Sequence, residues 1–217
     1  MTRAQRAWVL YDVGNSAFAT TIMAVVLPIY FESVAGAGLA AGRPTAYWGY
    51  ATTVAMLLSA VTAPVIGAMA DARGRRRAWL GLFAFSGAAL TGSLAGVGAG
   101  AWPLALLIYV GARLAFANSV VMYDSLLPHV ALPARRDGLS ALGFACGYLG
   151  GGLLLAAQLQ VIQHPDWFGI PEGTWPTRSV LLMPGAWWAL FTLPLLRGVS
   201  ERPVAGAPVV GVPAQLR

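Results

Sequence analysis

Gly67-Ala68-Met69-Ala70-Asp71-Ala72-Arg73-Gly74-Arg75-Arg76-Arg77 joins two long apolar runs, 46–70 before it and 78–99 after it. A helix needs about 20 mainly apolar residues to cross the hydrocarbon core of a bilayer. Each run is long enough, so the charged stretch between them reads as a tight turn at the membrane surface. Gly67 permits close backbone approach near the end of the first run, and Gly74 permits the turn itself. Asp71, set among arginines, reads as ionised and paired.

Working outward from this turn, four more runs qualify as spans. The full set is 8–31, 46–70, 78–99, 102–127, 139–162 and 179–196. Apolar residues make up 58% of the chain and charged residues 10%, against about 25% charged in soluble domains. Too little polar surface exists for water to be the main solvent, and lipid resolves the conflict. The net charge of +6 does not point to nucleic acid, because the arginines form short clusters between apolar runs rather than a binding stripe. The fold class expected is all-α: an integral membrane six-helix bundle over 1–198. A flexible Pro-, Gly- and Val-rich cytoplasmic tail is expected over 199–217. The first run is too long for a signal-peptide core of about 7–15 residues and contains Asp12 and Asn15. The last carries Pro184 and Pro194, which bundled helices in lipid tolerate.

The arginines also give an orientation. Arg3, Arg6, Arg73, Arg75, Arg76, Arg77, Arg135, Arg136, Arg197, Arg202 and Arg217 fall on one side. Only Arg43 and Arg178 fall on the other, and Arg113 lies inside the fourth run. The positive-inside rule then puts both termini in the cytoplasm, with a bacterial inner membrane as the expected location. Trp8, Trp48, Trp79, Trp102 and Trp175 fall near predicted ends, where aromatic rings favour the interface. Three helices followed by three permit an inverted repeat, but no sequence match between the halves is visible.

Ionisable residues within spans are costly and mark function by default. Asp12, Arg113 and Asp124 are the three. Gly143, Gly147 and Gly151 form a small-residue stripe at four-residue spacing, suited either to packing within the bundle or to a homodimer or separate partner. Gly92 and Gly96 repeat the spacing more weakly. Cys146 reads as a small packing residue, His129 and His164 as loop or interfacial residues, and Asp166 and Glu172 as solvated charges. No metal-ligand spacing, cofactor motif or catalytic constellation is visible, so no enzymatic role is expected.

The 67–77 stretch resembles the G-x-x-x-D-x-x-G-R-R loop of the major facilitator superfamily. The run Trp8-Val9-Leu10-Tyr11-Asp12-Val13-Gly14-Asn15-Ser16-Ala17-Phe18-Ala19-Thr20-Thr21, continued by Pro28-Ile29-Tyr30-Phe31, is similar to the opening helix of its vacuole effluxer-type branch. Tyr123-Asp124-Ser125-Leu126-Leu127-Pro128 and Gly147-Tyr148-Leu149-Gly150-Gly151-Gly152 resemble that branch's fourth and fifth helices. The resemblance implies movement of a small solute, with amino acids the expected class, by alternating access. It also implies that helices one and four line the pathway. On this basis Arg113 would hold an anionic substrate group such as a carboxylate. Asp12 would carry a proton or pair with an amine, with Asn15 beside it and Asn118 further along helix four. Gly67, Asp71, Arg73, Gly74, Arg75 and Arg76 would form a cytoplasmic gate that Asp124 approaches, biasing a two-state rocking motion. Such transporters carry about twelve helices in two halves, and this chain has six. A second six-helix half or a homodimer is therefore expected to complete the pathway. The alternative is a truncated, non-transporting fragment or interaction module.

Overall fold

The computed structural model describes residues 1–201, apart from the side chains of Asp71 and Arg73. Among the described residues, six helices are long and apolar enough to cross a membrane. They are α1 (Arg3–Ala35), α2 (Arg43–Arg73), α3 (Arg76–Ser93), α4 (Trp102–Val130), α5 (Arg136–Gln163) and α6 (Trp175–Gly198). Short 3-10 turns at Leu94–Gly96 and Pro133–Arg135 extend α3 and lead into α5.

Local chemistry sets the ends. The Thr2 hydroxyl accepts from the Gln5 N–H at 3.2 Å, and the Gln5 side chain accepts from the Thr2 N–H at 2.9 Å. This reciprocal capping starts α1 ahead of its apolar stretch, so Arg3 and Arg6 stand in its first turns. Gly74 has φ +59°, a conformation that strains any side-chain-bearing residue, and it makes the turn from α2 into α3. Pro103 and Pro176 sit in the first turns of α4 and α6, where their missing N–H has no intrahelical partner to lose.

α1 is not uniform. It is α-helical over Arg3–Ala17 and Val26–Tyr30 and π-helical over Phe18–Val25 and Phe31–Ala35. Pro28 donates no N–H, and its ring collides with the carbonyl four residues back. The wider turn that precedes it accommodates the misfit.

In the bundle, α1 packs against α5 and α6, α3 packs against α4 and α6, and α2 packs chiefly on α4. The α1 and α4 backbones approach at fewer points, and beside the aromatic contacts that join them a cleft remains. An aromatic cluster closes the centre. Phe18 stacks on Phe116 at 4.9 Å, and Trp188 meets both rings at 5.8 and 5.9 Å. Trp188 fits because Gly87 leaves room: a Cβ there would stand 2.5 Å from the indole. Gly185 places α6 directly on the α3 backbone, where a Cβ would meet the Ala88 carbonyl at 2.5 Å. Gly92 and Gly96 have no such neighbour: a Cβ on Gly92 would meet only Leu182, at 3.9 Å, and one on Gly96 would meet open space.

Residues 199–201 pack onto the bundle, although the sequence assigns them to the tail. Val199 is buried and its carbonyl accepts from Arg77. The Glu201 carboxylate accepts the first N–H groups of α3, from Arg76 at 3.0 Å and Arg77 at 2.7 Å. Those amides have no intrahelical acceptor, which is the reason the segment docks there. The rest of the tail, 202–217, lies outside the described residues.

Candidate functional site

The gap between α1 and α4 is a cleft of about 200 Å³. α1 contributes Asp12, Asn15, Ser16, Ala19 and Thr20, α4 contributes Phe116, Val120, Tyr123 and Asp124, and α5 contributes Phe144 and Tyr148. Asp12, Ser16 and Thr20 recur every four residues, so they stack along one face of α1. Asp12 and Asn15 are buried, whereas Asp124 on the facing wall is exposed.

The glycine stripe of α5 supports this face from behind. A Cβ on Gly143 would stand 3.1 Å from the Tyr123 hydroxyl and 3.2 Å from Asp12 Oδ2. A Cβ on Gly147 would meet Ser16 Oγ at 2.5 Å, and one on Gly151 would meet the Ser16 carbonyl at 3.1 Å. The stripe is thus covered by α1 and is closed to a second copy of the chain. The same wall is held elsewhere by buried bonds. Thr21 donates to Gln158 Oε1 at 2.7 Å, and Gln158 donates to the Val180 carbonyl at 3.1 Å, joining α1, α5 and α6.

Tyr123 is fixed by its surroundings. Trp8 stacks on its ring at 4.2 Å and donates its indole N–H to the Tyr123 carbonyl at 3.2 Å. Its own hydroxyl is buried without a hydrogen-bond partner, close to Asp12. A buried polar group left unsatisfied in a low-dielectric site is costly, and it marks this spot as prepared for a further hydrogen-bonding group. The cleft lining holds two carboxylates and no basic side chain. Its chemistry suits a proton, an amine or another cationic group.

The four pathway candidates do not form one cluster. Asp12 and Asn15 line the cleft, and Arg113 and Asn118 do not. Arg113 lies over the Phe116 ring at 5.6 Å, with its Nε buried and unpartnered. It stands eleven residues from Asp124, roughly 16 Å along α4. Asn118 turns toward α2, donating to Thr62 Oγ1 at 3.2 Å and to the Leu114 carbonyl at 2.9 Å.

The gate candidates also separate. Asp124 lines the cleft and makes no ion pair with Arg75 or Arg76 among the described residues, because its side chain points along the α1 side of α4. His129, expected in a loop or interface, occupies the last turn of α4, and its Nε2 lies 3.1 Å from Arg76 Nη1. A Cβ on Gly67 would make only an ordinary 3.8 Å contact with Val121, so the close approach expected there is not used in this conformation. Gly74 makes the expected turn. The side chains of Asp71 and Arg73 lie outside the described residues.

Ser16, Thr20, Tyr123 and Tyr148 were not singled out from the sequence. For the α1 pair the signal was present in the four-residue spacing from Asp12. The two tyrosines fall in stretches that carry the family resemblance, but nothing in the sequence gives either one a role in a site.

Comparison with known proteins matches residues 42–214 to the family described as "Vacuole effluxer Atg22 like". An uncharacterised MFS-type transporter of Bacillus subtilis, YxiO, is 32% identical over 203 residues, covering 93% of this chain and 47% of that protein. Autophagy-related protein 22 of Pyricularia oryzae is 35% identical over 65 residues, 30% of this chain and 9% of that protein. Among solved structures, the inward-open xylose transporter XylE of Escherichia coli superposes with a TM-score of 0.63 at 16% identity, covering 93% of this chain and 47% of that one. The chain thus spans about half the length of YxiO and of XylE, and its bundle matches one half of the major facilitator fold.

Proposed function

The chain belongs to the vacuole effluxer Atg22-like family, within the major facilitator-type transporters, and on that premise we propose that it forms one wall of a pathway carrying a small amine-bearing solute by alternating access. The observation that carries this reading is the α1–α4 cleft: two carboxylates, a partnerless tyrosine hydroxyl and a hydroxyl-lined helix face, with no cation among them. Asp12 receives the amine or a proton, with Asn15 and Ser16 alongside. Amino acids are the solute class. Arg113 does not line this cleft, so it serves a carboxylate only at a separate position on the path.

The opposing wall comes from a second six-helix unit, either a further half or a second copy. The exposed apolar faces of α2 and α5 support this, with Val54, Leu57 and Val61 on one and Phe144, Tyr148 and Leu149 on the other. Gly67, Asp71, Arg73, Gly74, Arg75 and Arg76 act as the gate at the arginine-rich end. That end faces the cytoplasm of a bacterial inner membrane, as the arginine bias supports.

Flux into proteoliposomes tests the reading. Free amino acids are expected to cross at least tenfold faster than their N-acetylated forms. Equal rates would remove the amine-binding role. Proton coupling predicts that an imposed pH gradient drives uptake, and flux indifferent to that gradient would end this part of the proposal. Oligomeric state in mild detergent separates the two sources of the second wall: a symmetric pair supports a second copy, and a strict monomer points to another half.

A further inference from the structure

A second groove lies between α1 and α6 at the arginine-rich end, with a volume of about 490 Å³. Arg3 and Arg6 of α1 and Arg197 of α6 stand at its mouth, and Leu10, Leu190 and Leu193 form its wall. Arg3 and Asp12 are nine residues apart in a regular α-helical stretch, which is two and a half turns. The groove therefore opens on the side of α1 opposite the cleft, away from the proposed second wall and toward lipid. All three arginines are exposed, and none makes an ion pair among the described residues. The wall below is apolar, and Leu10 and Leu190 are themselves exposed. Three unpaired guanidinium groups above an apolar slot match a phosphate with hydrocarbon attached. Free phosphate would use the arginines and leave the leucines without purpose.

We propose that this groove binds an anionic phospholipid, its phosphate held by Arg3, Arg6 and Arg197 and its acyl chains lying along Leu10, Leu190 and Leu193. Guanidinium forks suit phosphate oxygens, and basic pockets between spanning helices are suited to anionic headgroups.

Native mass spectrometry of the purified chain in detergent, titrated with phosphatidylglycerol, phosphatidylcholine or inorganic phosphate, tests the site. Phosphatidylglycerol is expected to bind at least tenfold more tightly than phosphatidylcholine. The double substitution Arg6→Gln with Arg197→Gln is expected to weaken phosphatidylglycerol about 25-fold, from about fivefold per arginine. A charge-matched control, Arg135→Gln with Arg136→Gln, should change it less than twofold. Equal binding of the two lipids, equal losses in the two double variants, or displacement of phosphatidylglycerol by inorganic phosphate would each overturn the proposal. Should the Arg6/Arg197 variant not fold, the lipid preference and the phosphate competition of the unaltered chain still decide it.

Discussion

α1 and α2 are similar in length and apolarity, yet 44% of the most apolar part of α1 is buried inside the bundle and only 11% of that of α2. Their polar residues differ accordingly. Thr53 and Ser59 of α2 donate to carbonyls four residues back in their own helix, which satisfies them without any neighbour. Thr21 of α1 reaches across to α5, and Asp12, Asn15 and Ser16 sit against glycines of α5 or in the cleft. Two helices that lipid would accept equally well are thus used differently. α2 meets its surroundings with an apolar surface, while α1 carries polar groups that only the folded bundle can house.

Substitutions can break this contrast. The largest effect is expected where α1 meets the α5 stripe. Gly147→Leu must displace Ser16 and the Asp12 backbone, so monodisperse protein should be lost on size exclusion in detergent; overpacking alone costs about 1–3 kcal/mol. Gly49→Leu on α2, where an added Cβ meets nothing within 4 Å, should elute unchanged. If both variants behave alike, the difference between the helices is not one of packing.

A smaller effect on the fold, but a large one on flux, is expected for Asp12→Asn. Transport in proteoliposomes should fall at least tenfold while the thermal midpoint stays within a few degrees. Ser59→Ala on α2 should alter neither. Full flux in the Asp12 variant would leave the cleft without its proposed carboxylate role.

The smallest contrast sharpens the hydrogen-bond argument. Thr21→Val strips the donor from Gln158 Oε1 and should lower stability by about 0.6–1.7 kcal/mol, the range for bonds between helices in membranes. Thr53→Val, removing a bond within its own helix, should stay within about 0.5 kcal/mol. Thermal unfolding in detergent distinguishes them.

Much of the architecture was legible because lipid imposes a coarse rule. Six uncovered stretches of apolar sequence must become helices, since no other open element satisfies its backbone in hydrocarbon. The turn at Gly74 was legible for a related reason, being a short charged connection with one residue free to take positive φ. Asp12 and Asn15 were legible as polar residues in an apolar run. Asp124 was legible as unusual but not in its direction, and neither were the roles of Gly87 and Gly185. An arginine-rich loop and a cleft lie within reach of the same helix end, and sequence spacing alone does not choose between them.

Composition and spacing determined the solvent, the number of crossings and which residues bear charge inside them, because the free energy of burying peptide and charged groups in hydrocarbon depends on residue type. The tertiary structure decided how each helix is rotated about its axis. A helix that is apolar nearly all round carries little pattern to set that rotation; interhelical contacts such as α5 glycines against α1 and Trp188 against Gly87 set it instead. That rotation is what brings Asp12 and Asp124 into one cleft and sends Arg3 and Arg6 to the other side.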